Sequence, residues 1–60
     1  MNCLVIDDEQ HAIEVLEHYI KQTPSLRLAG SANNPAEAIS ILQKENIELI
    51  FLDIHMPQLS

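Results

Sequence analysis

The strongest constraint on the fold comes from two short apolar runs that each end at an aspartate. The first, "CLVIDD", ends at Asp7 and Asp8, and the second, "LIFLD", ends at Asp53. Apolar runs rich in β-branched and aromatic residues predict strands, and runs without polar alternation are typical of parallel strands covered on both faces. The sequence therefore predicts two buried parallel strands with carboxylates at their C-terminal ends.

The segment after the first strand has the spacing of an amphipathic helix. Between about residues 10 and 22, the residues expected to face inward are Ala12, Ile13, Val15, Leu16, Tyr19 and Ile20. Asp8 or Glu9 is expected to cap this helix or to favour its N-terminus. Thr23 and Pro24 should end it, because the residue before a proline avoids the helical conformation.

A second strand and the start of a second helix follow. Residues 26–32 alternate large and small side chains and predict a strand, in which Gly30 would allow the close approach of another element. The stretch "NNPAE" has the features of a helix start. Asn34 is expected to cap the helix, Pro35 to take its first position, and Glu37 to complete a capping pair.

The second helix leads into the last strand. Its inward-facing residues are expected to be Ala38, Ile39, Ile41 and Leu42. It should stop near Asn46, a residue that can adopt the left-handed conformation of a helix terminator. Residues 47–52 are expected to form the last strand. The order β-α-β-α-β predicts an α/β fold with a parallel sheet between helices.

The composition limits the function of this segment. Nine acidic against three basic residues give a formal charge of −6, which argues against nucleic-acid binding, because phosphate contacts need a surplus of Lys and Arg. Cys3, the single cysteine, is expected to be a buried, inert thiol. No signal-peptide pattern is visible, and no run approaches the roughly 20 apolar residues that cross a bilayer. We therefore expect a cytoplasmic protein without membrane contact.

The aspartates at the strand ends predict a shared acidic site. Parallel strands share a direction, so Asp7, Asp8 and Asp53 would meet at one edge of the sheet, where open α/β sheets bind ligands. Carboxylates this close repel one another unless one keeps a proton or a cation lies among them. Magnesium is suited to such a site, since it takes carboxylate oxygens, carbonyls and waters. Each aspartate alone could instead be a turn or capping residue.

Three motifs carry a resemblance to a known family. They are "VIDDE" (residues 5–9), "NNPAEAI" (33–39) and "LIFLDIHMP" (49–57). In this combination the sequence resembles the N-terminal half of a response-regulator receiver domain, the phosphoaccepting module of two-component signalling, over all 60 residues. The resemblance implies a flavodoxin-like fold, with a parallel sheet as the middle of three layers.

The resemblance also implies a role for each site residue. Asp53 would be the phosphoacceptor, receiving the phosphoryl group from a sensor histidine kinase. Asp8 would bind Mg²⁺ directly, Asp7 through a water, and His55 through its backbone carbonyl, with Asp53 supplying a further carboxylate oxygen. The exposed side of helix one, with Gln10, His11, Glu14 and His18, would be a candidate contact surface for the kinase.

The chain departs from the family in its extent. A whole receiver has five strands in the order 2-1-3-4-5, with a hydroxyl residue and a lysine after its last two strands, and residues 1–60 contain only the first three strands. Strand three would then be an uncovered edge, a liability for a monomer. We expect a longer parent truncated after strand three, although two copies could instead pair through it. The stretch "CLVIDDEQHAIEVLEHYI" resembles regulators that end in a LytTR-type DNA-binding domain, which implies such an output domain in the parent.

Two alternatives remain open. A receiver-like interaction or dimerisation module could keep the acidic residues without accepting a phosphoryl group. A haloacid-dehalogenase-like phosphatase also uses an aspartate after a parallel strand, but it needs a second aspartate two positions later, where this chain has His55. A dinucleotide-binding unit is excluded, because the first strand-helix turn has no glycines.

Overall fold

The computed structural model describes residues 1–53, which form three strands and two helices. In chain order they are β1 (Asn2–Ile6), α1 (Gln10–Lys21), β2 (Arg27–Ala32), α2 (Pro35–Lys44) and β3 (Leu49–Leu52). This confirms the predicted β-α-β-α-β order. Neither helix is long and apolar enough to cross a membrane.

The strands form one parallel sheet in the order β2-β1-β3. β1 is central, and it pairs in register with β3 from Cys3 opposite Leu49 to Ile6 opposite Leu52. Its pairing with β2 has one register shift, between Cys3 and Leu4. The order and direction are those of the first half of a flavodoxin-like sheet, as predicted.

The central strand supplies the core on both sides of the sheet, because successive side chains of a strand point to opposite faces. On one face Cys3 and Val5 pack with Ile13 and Ile20 of α1. On the other face the buried cluster is Leu4, Ile6, Ala32 and Ala38, with Ile41 of α2 packed against it. The sheet is thus the middle of three layers. Cys3 is buried and free of any disulfide, as expected.

Gly30 allows the close approach that its place in β2 suggested. A Cβ at this position would lie 3.2 Å from Cδ1 and 3.3 Å from Cγ2 of Ile41. Such distances are tighter than ordinary van der Waals contact, so a Cβ here would require the Ile41 side chain to shift by a few tenths of an ångström. Gly30 therefore lets Ile41 of α2 pack directly against β2.

α2 begins as predicted and ends at Lys44, near the predicted Asn46, but without the predicted left-handed residue. Asn34 is the cap, its side chain accepts a hydrogen bond from the Glu37 backbone N–H, and Pro35 begins the helix. At the other end the capping residue is Glu45, with extended backbone, and no non-glycine residue in the range 1–53 has a positive φ. The expectation of a left-handed Asn46 was therefore wrong.

The inward faces of both helices are narrower than predicted. Val15 and Tyr19 of α1 are exposed, and so are Ile39 and Leu42 of α2. The helices contact β1 and β2, so only the apolar positions that point at these two strands are covered. Glu9 occupies the capping position of α1, but its side chain makes no capping hydrogen bond.

β3 lies at the edge of the sheet, as expected for this length of chain. Ile50 and Leu52 remain 43% and 48% exposed, and Leu49 and Phe51 are partly buried. The prediction of a fully buried strand is thus wrong for these residues, because within residues 1–53 the helices pack mainly on β1 and β2 and leave β3 less covered.

Candidate functional site

The sheet brings the ends of β1 and β3 side by side. Ile6 is paired with Leu52, so the next residues along the chain, Asp7 and Asp53, are neighbours. The hydrogen bonds of the sheet extend one residue beyond the strands. Asp53 donates its backbone N–H to the carbonyl oxygen of Ile6 at 3.0 Å, and Asp7 donates to that of Ala32 at 3.1 Å. Both aspartates therefore leave the sheet from fixed backbone positions.

All three aspartates of the chain meet at this edge. One carboxylate oxygen from each of Asp7, Asp8 and Asp53 lies within 4.8 Å of the others. The three side chains differ in access: Asp7 is buried, with 8% of its surface exposed, Asp53 is intermediate, and Asp8 is exposed. The predicted convergence of the aspartates is confirmed, and we call this group the acidic cluster.

The most buried carboxylate of the acidic cluster is held by the backbone. Oδ1 of Asp7 accepts a hydrogen bond from the Glu9 N–H at 3.0 Å. This is the turn that aspartate side chains form with the N–H two residues ahead. Asp7 is therefore fixed both at its N–H, by Ala32, and at its carboxylate, by Glu9.

The chemistry of the acidic cluster suits a hard cation. Its side chains offer only oxygen donors, and three negative charges at this separation repel one another. Mg²⁺ binds through one or two carboxylates and keeps several waters. The exposure of Asp8 and the partial exposure of Asp53 leave room for those waters on the solvent side. The residues present therefore fit Mg²⁺.

The remaining predicted site residues fall into two groups. His55 and the Met56–Pro57 loop lie outside the described residues. The predicted contact surface on α1 is exposed at every position that was named: Gln10, His11, Glu14 and His18. Its exposure is confirmed, and its role as a kinase contact stays a prediction.

Sequence reasoning missed two backbone contacts near the acidic cluster. One is the hydrogen bond from Glu9 to Asp7. The other is at the end of β2, where the Asn33 N–H donates to Oε1 of Glu37 at 3.1 Å. The capping pair in "NNPAE" signalled that Glu37 would accept a backbone N–H, but the expected donor was the capping residue itself.

Comparisons with known proteins agree with the motifs and the fold. The family model for the response regulator receiver domain matches residues 3–60. An uncharacterized response regulatory protein of Shewanella oneidensis is 38% identical over the whole chain, which spans 25% of that protein.

Two further relatives have more specific names. The sensory transduction protein LytT of Enterococcus faecalis is 36% identical over 93% of the chain and 23% of the relative. The transcriptional regulatory protein BtsR of Escherichia coli is 33% identical over 95% of the chain and 24% of the relative.

No solved structure gave a significant match. The chain thus spans about a quarter of the curated relatives it matches. With its sheet order, its acidic strand ends and a family match over nearly its whole length, this chain belongs to the response regulator receiver domain family.

Proposed function

We propose that Asp53 accepts a phosphoryl group from a sensor histidine kinase in a Mg²⁺-dependent reaction. The observation that carries this proposal is the acidic cluster at the C-terminal edge of the sheet. Asp7 is buried, which leaves little room for a phosphodonor to approach its carboxylate. Asp53 is partly exposed and stands where the Leu-Asp-x-x-Met-Pro motif of the family, "LDIHMP" in this chain, has its phosphoacceptor.

The chemistry required of the chain is mostly positioning. A carboxylate oxygen of Asp53 attacks phosphorus, the P–N bond of a phosphohistidine breaks, and its electron pair goes to the imidazole nitrogen. The product is an acyl phosphate on Asp53. Phosphoryl transfer depends on in-line approach and on charge neutralisation. The sheet hydrogen bond from Asp53 to Ile6 fixes the nucleophile for that approach.

Neutralisation is the role of the proposed ion. When bound, Mg²⁺ supplies positive charge beside the acceptor carboxylate and the phosphoryl oxygens. Asp8 and Asp53 would hold it directly and Asp7 through a water, with the carbonyl of His55 as a further ligand. The oxygen-only donors and the open solvent side of the acidic cluster support this assignment.

The partners follow from family membership. A receiver domain implies a histidine kinase as phosphodonor, and the cytoplasm is the compartment in which such transfer occurs. Because the chain spans about a quarter of its relatives, we propose that it is the N-terminal half of a receiver within a longer regulator. We propose that the longer regulator carries a DNA-binding output domain of LytTR type, as the resemblance implies, and a relative named as a transcriptional regulatory protein supports a role in transcription. Dimerisation through β3 is the alternative use of its open edge.

Phosphoryl uptake from a small donor tests the function. The intact regulator is incubated with acetyl phosphate and Mg²⁺, with and without EDTA, and its mass is measured. We expect a gain of one phosphoryl group that EDTA prevents. No gain in either condition would contradict the proposal and favour the interaction-module alternative.

Magnesium affinity tests the ligand assignment. Asp8→Ala should weaken binding more than about 30-fold and Asp7→Ala by about tenfold, since loss of an outer partner typically costs 10–100-fold. Calorimetric titration of the intact regulator measures both. Glu45→Ala, an exposed carboxylate at the end of α2, is the matched control and should bind Mg²⁺ normally. Equal affinity in all these proteins would refute the assignment.

A further inference from the structure

The peptide group between Ala32 and Asn33 joins α2 to the acidic cluster. Its carbonyl oxygen, on Ala32, accepts the backbone N–H of Asp7 at 3.1 Å. Its N–H, on Asn33, donates to Oε1 of Glu37 at 3.1 Å. A trans peptide is planar, with its C=O and N–H pointing in opposite directions. One rigid unit is therefore held by Glu37 at one end and holds Asp7 at the other.

The hydrogen bond from Asn33 to Glu37 can strengthen the hydrogen bond from Asp7 to Ala32. A hydrogen bond to a carboxylate is charge-assisted and stronger than one between neutral groups. It also polarises the peptide and places more negative charge on its carbonyl oxygen, because hydrogen bonds in a chain reinforce one another. The Asp7 N–H donates to that oxygen. The contact should thus tighten the backbone of the most buried member of the acidic cluster.

The helix cap keeps Glu37 in position for this contact. The Glu37 backbone N–H donates to Oδ1 of Asn34 at 2.9 Å, and the Asn34 side-chain amide donates to Oδ1 of Asn33 at 2.9 Å. Glu37 therefore lies in the capped first turn of α2 and reaches back to the end of β2. Its carboxylate is ordered by the start of the helix, although the residue is exposed.

We propose that Glu37 is a positioning residue for the acidic cluster, acting on Asp7 through the Ala32–Asn33 peptide. The Asp7 carboxylate accepts the Glu9 N–H and forms a turn. A shift of the Asp7 backbone therefore moves this turn, and with it the Asp7 carboxylate that lies close to those of Asp8 and Asp53. The consequence for Mg²⁺ rests on the proposed function. The consequence for the Asp7 backbone does not.

A matched pair of variants tests the proposal in the intact regulator. Glu37→Ala removes the contact. Glu48→Ala removes the same kind of bond elsewhere, because Oε1 of Glu48 accepts the Asn2 N–H at 3.0 Å, at the N-terminal end of β1. Both variants lose one glutamate and one backbone contact, but only Glu37 adjoins the acidic cluster. Glu37→Gln keeps an acceptor oxygen and should restore part of the loss.

Two measurements are made on each variant. Amide hydrogen exchange of Asp7, relative to the amides of β1, should rise about 1.5-fold in Glu37→Ala, because the Asp7 hydrogen bond to Ala32 stays in place and loses only a fraction of its roughly 1 kcal/mol. Mg²⁺ affinity should fall by up to about twofold, well below the loss expected for a residue that contacts the ion or its ligands directly. Glu48→Ala should change neither, and Glu37→Gln should lie between Glu37→Ala and the unmodified protein.

The outcomes separate this proposal from the proposed function. Unchanged relative exchange of Asp7 in Glu37→Ala, or an equal rise in Glu48→Ala, would overturn the positioning role. If the unmodified protein binds no Mg²⁺, the proposed function fails. The exchange measurement still decides whether Glu37 positions Asp7.

Discussion

Replacing Asp53 with alanine is expected to abolish phosphoryl uptake completely. Asp53 is partly exposed directly after β3, and the substitution removes the carboxylate that we propose as the nucleophile. The backbone bond from residue 53 to Ile6 does not involve the side chain, so the sheet should stay intact. Intact mass after incubation with acetyl phosphate and Mg²⁺ measures the effect.

Two comparisons make this result interpretable. Glu45→Ala removes an exposed carboxylate at the end of α2 and should be phosphorylated like the unmodified protein. Urea unfolding should show that Asp53→Ala is folded. Phosphoryl uptake at an unchanged rate in folded Asp53→Ala would refute the assignment of Asp53 as the phosphoacceptor.

The largest loss of stability is expected for Leu4→Ala. Leu4 is 0% exposed, lies in the central strand and belongs to the cluster beneath α2. Buried leucine-to-alanine substitutions cost about 2–5 kcal/mol, through lost transfer free energy and the cavity left behind. The free energy of unfolding of a native protein is about 5–15 kcal/mol, so this substitution should remove a large share of it. Urea unfolding gives the free energy of both proteins.

Leu42→Ala is the control for Leu4→Ala. Leu42 is 43% exposed on α2, and its loss should cost below about 1 kcal/mol, as for most surface positions. Equal destabilisation by the two substitutions would contradict the core described for β1.

The acidic cluster could be predicted from the sequence because the rules involved are local. Each apolar run ended at an aspartate, and parallel strands carry their ends to the same edge of the sheet. Once β1 and β3 are neighbours, as they are, Asp7 and Asp53 have to meet. The capped start of α2 was predictable for the same reason, since Asn34, Pro35 and Glu37 act within one turn.

Features that depend on the rest of the fold were not predictable. Val15 and Tyr19 follow helical spacing, but whether they are covered depends on which strands lie beneath α1. Ile50 and Leu52 have the pattern of core residues, and they are exposed because the helices of residues 1–53 pack mainly on β1 and β2. The bond from Asn33 to Glu37 depends on how the chain leaves β2, and no residue pattern specifies that exit.

Asp53 is the proposed site of phosphorylation, and one measurement tests this assignment directly. The intact regulator is phosphorylated with acetyl phosphate and Mg²⁺, reduced with borohydride, which converts an aspartyl phosphate to homoserine, and mapped by peptide mass spectrometry. Phosphorylation of Asp53 predicts homoserine at position 53 and unmodified aspartate at positions 7 and 8. Homoserine at position 7 or 8 with aspartate intact at 53, or no conversion at any carboxylate, would contradict it.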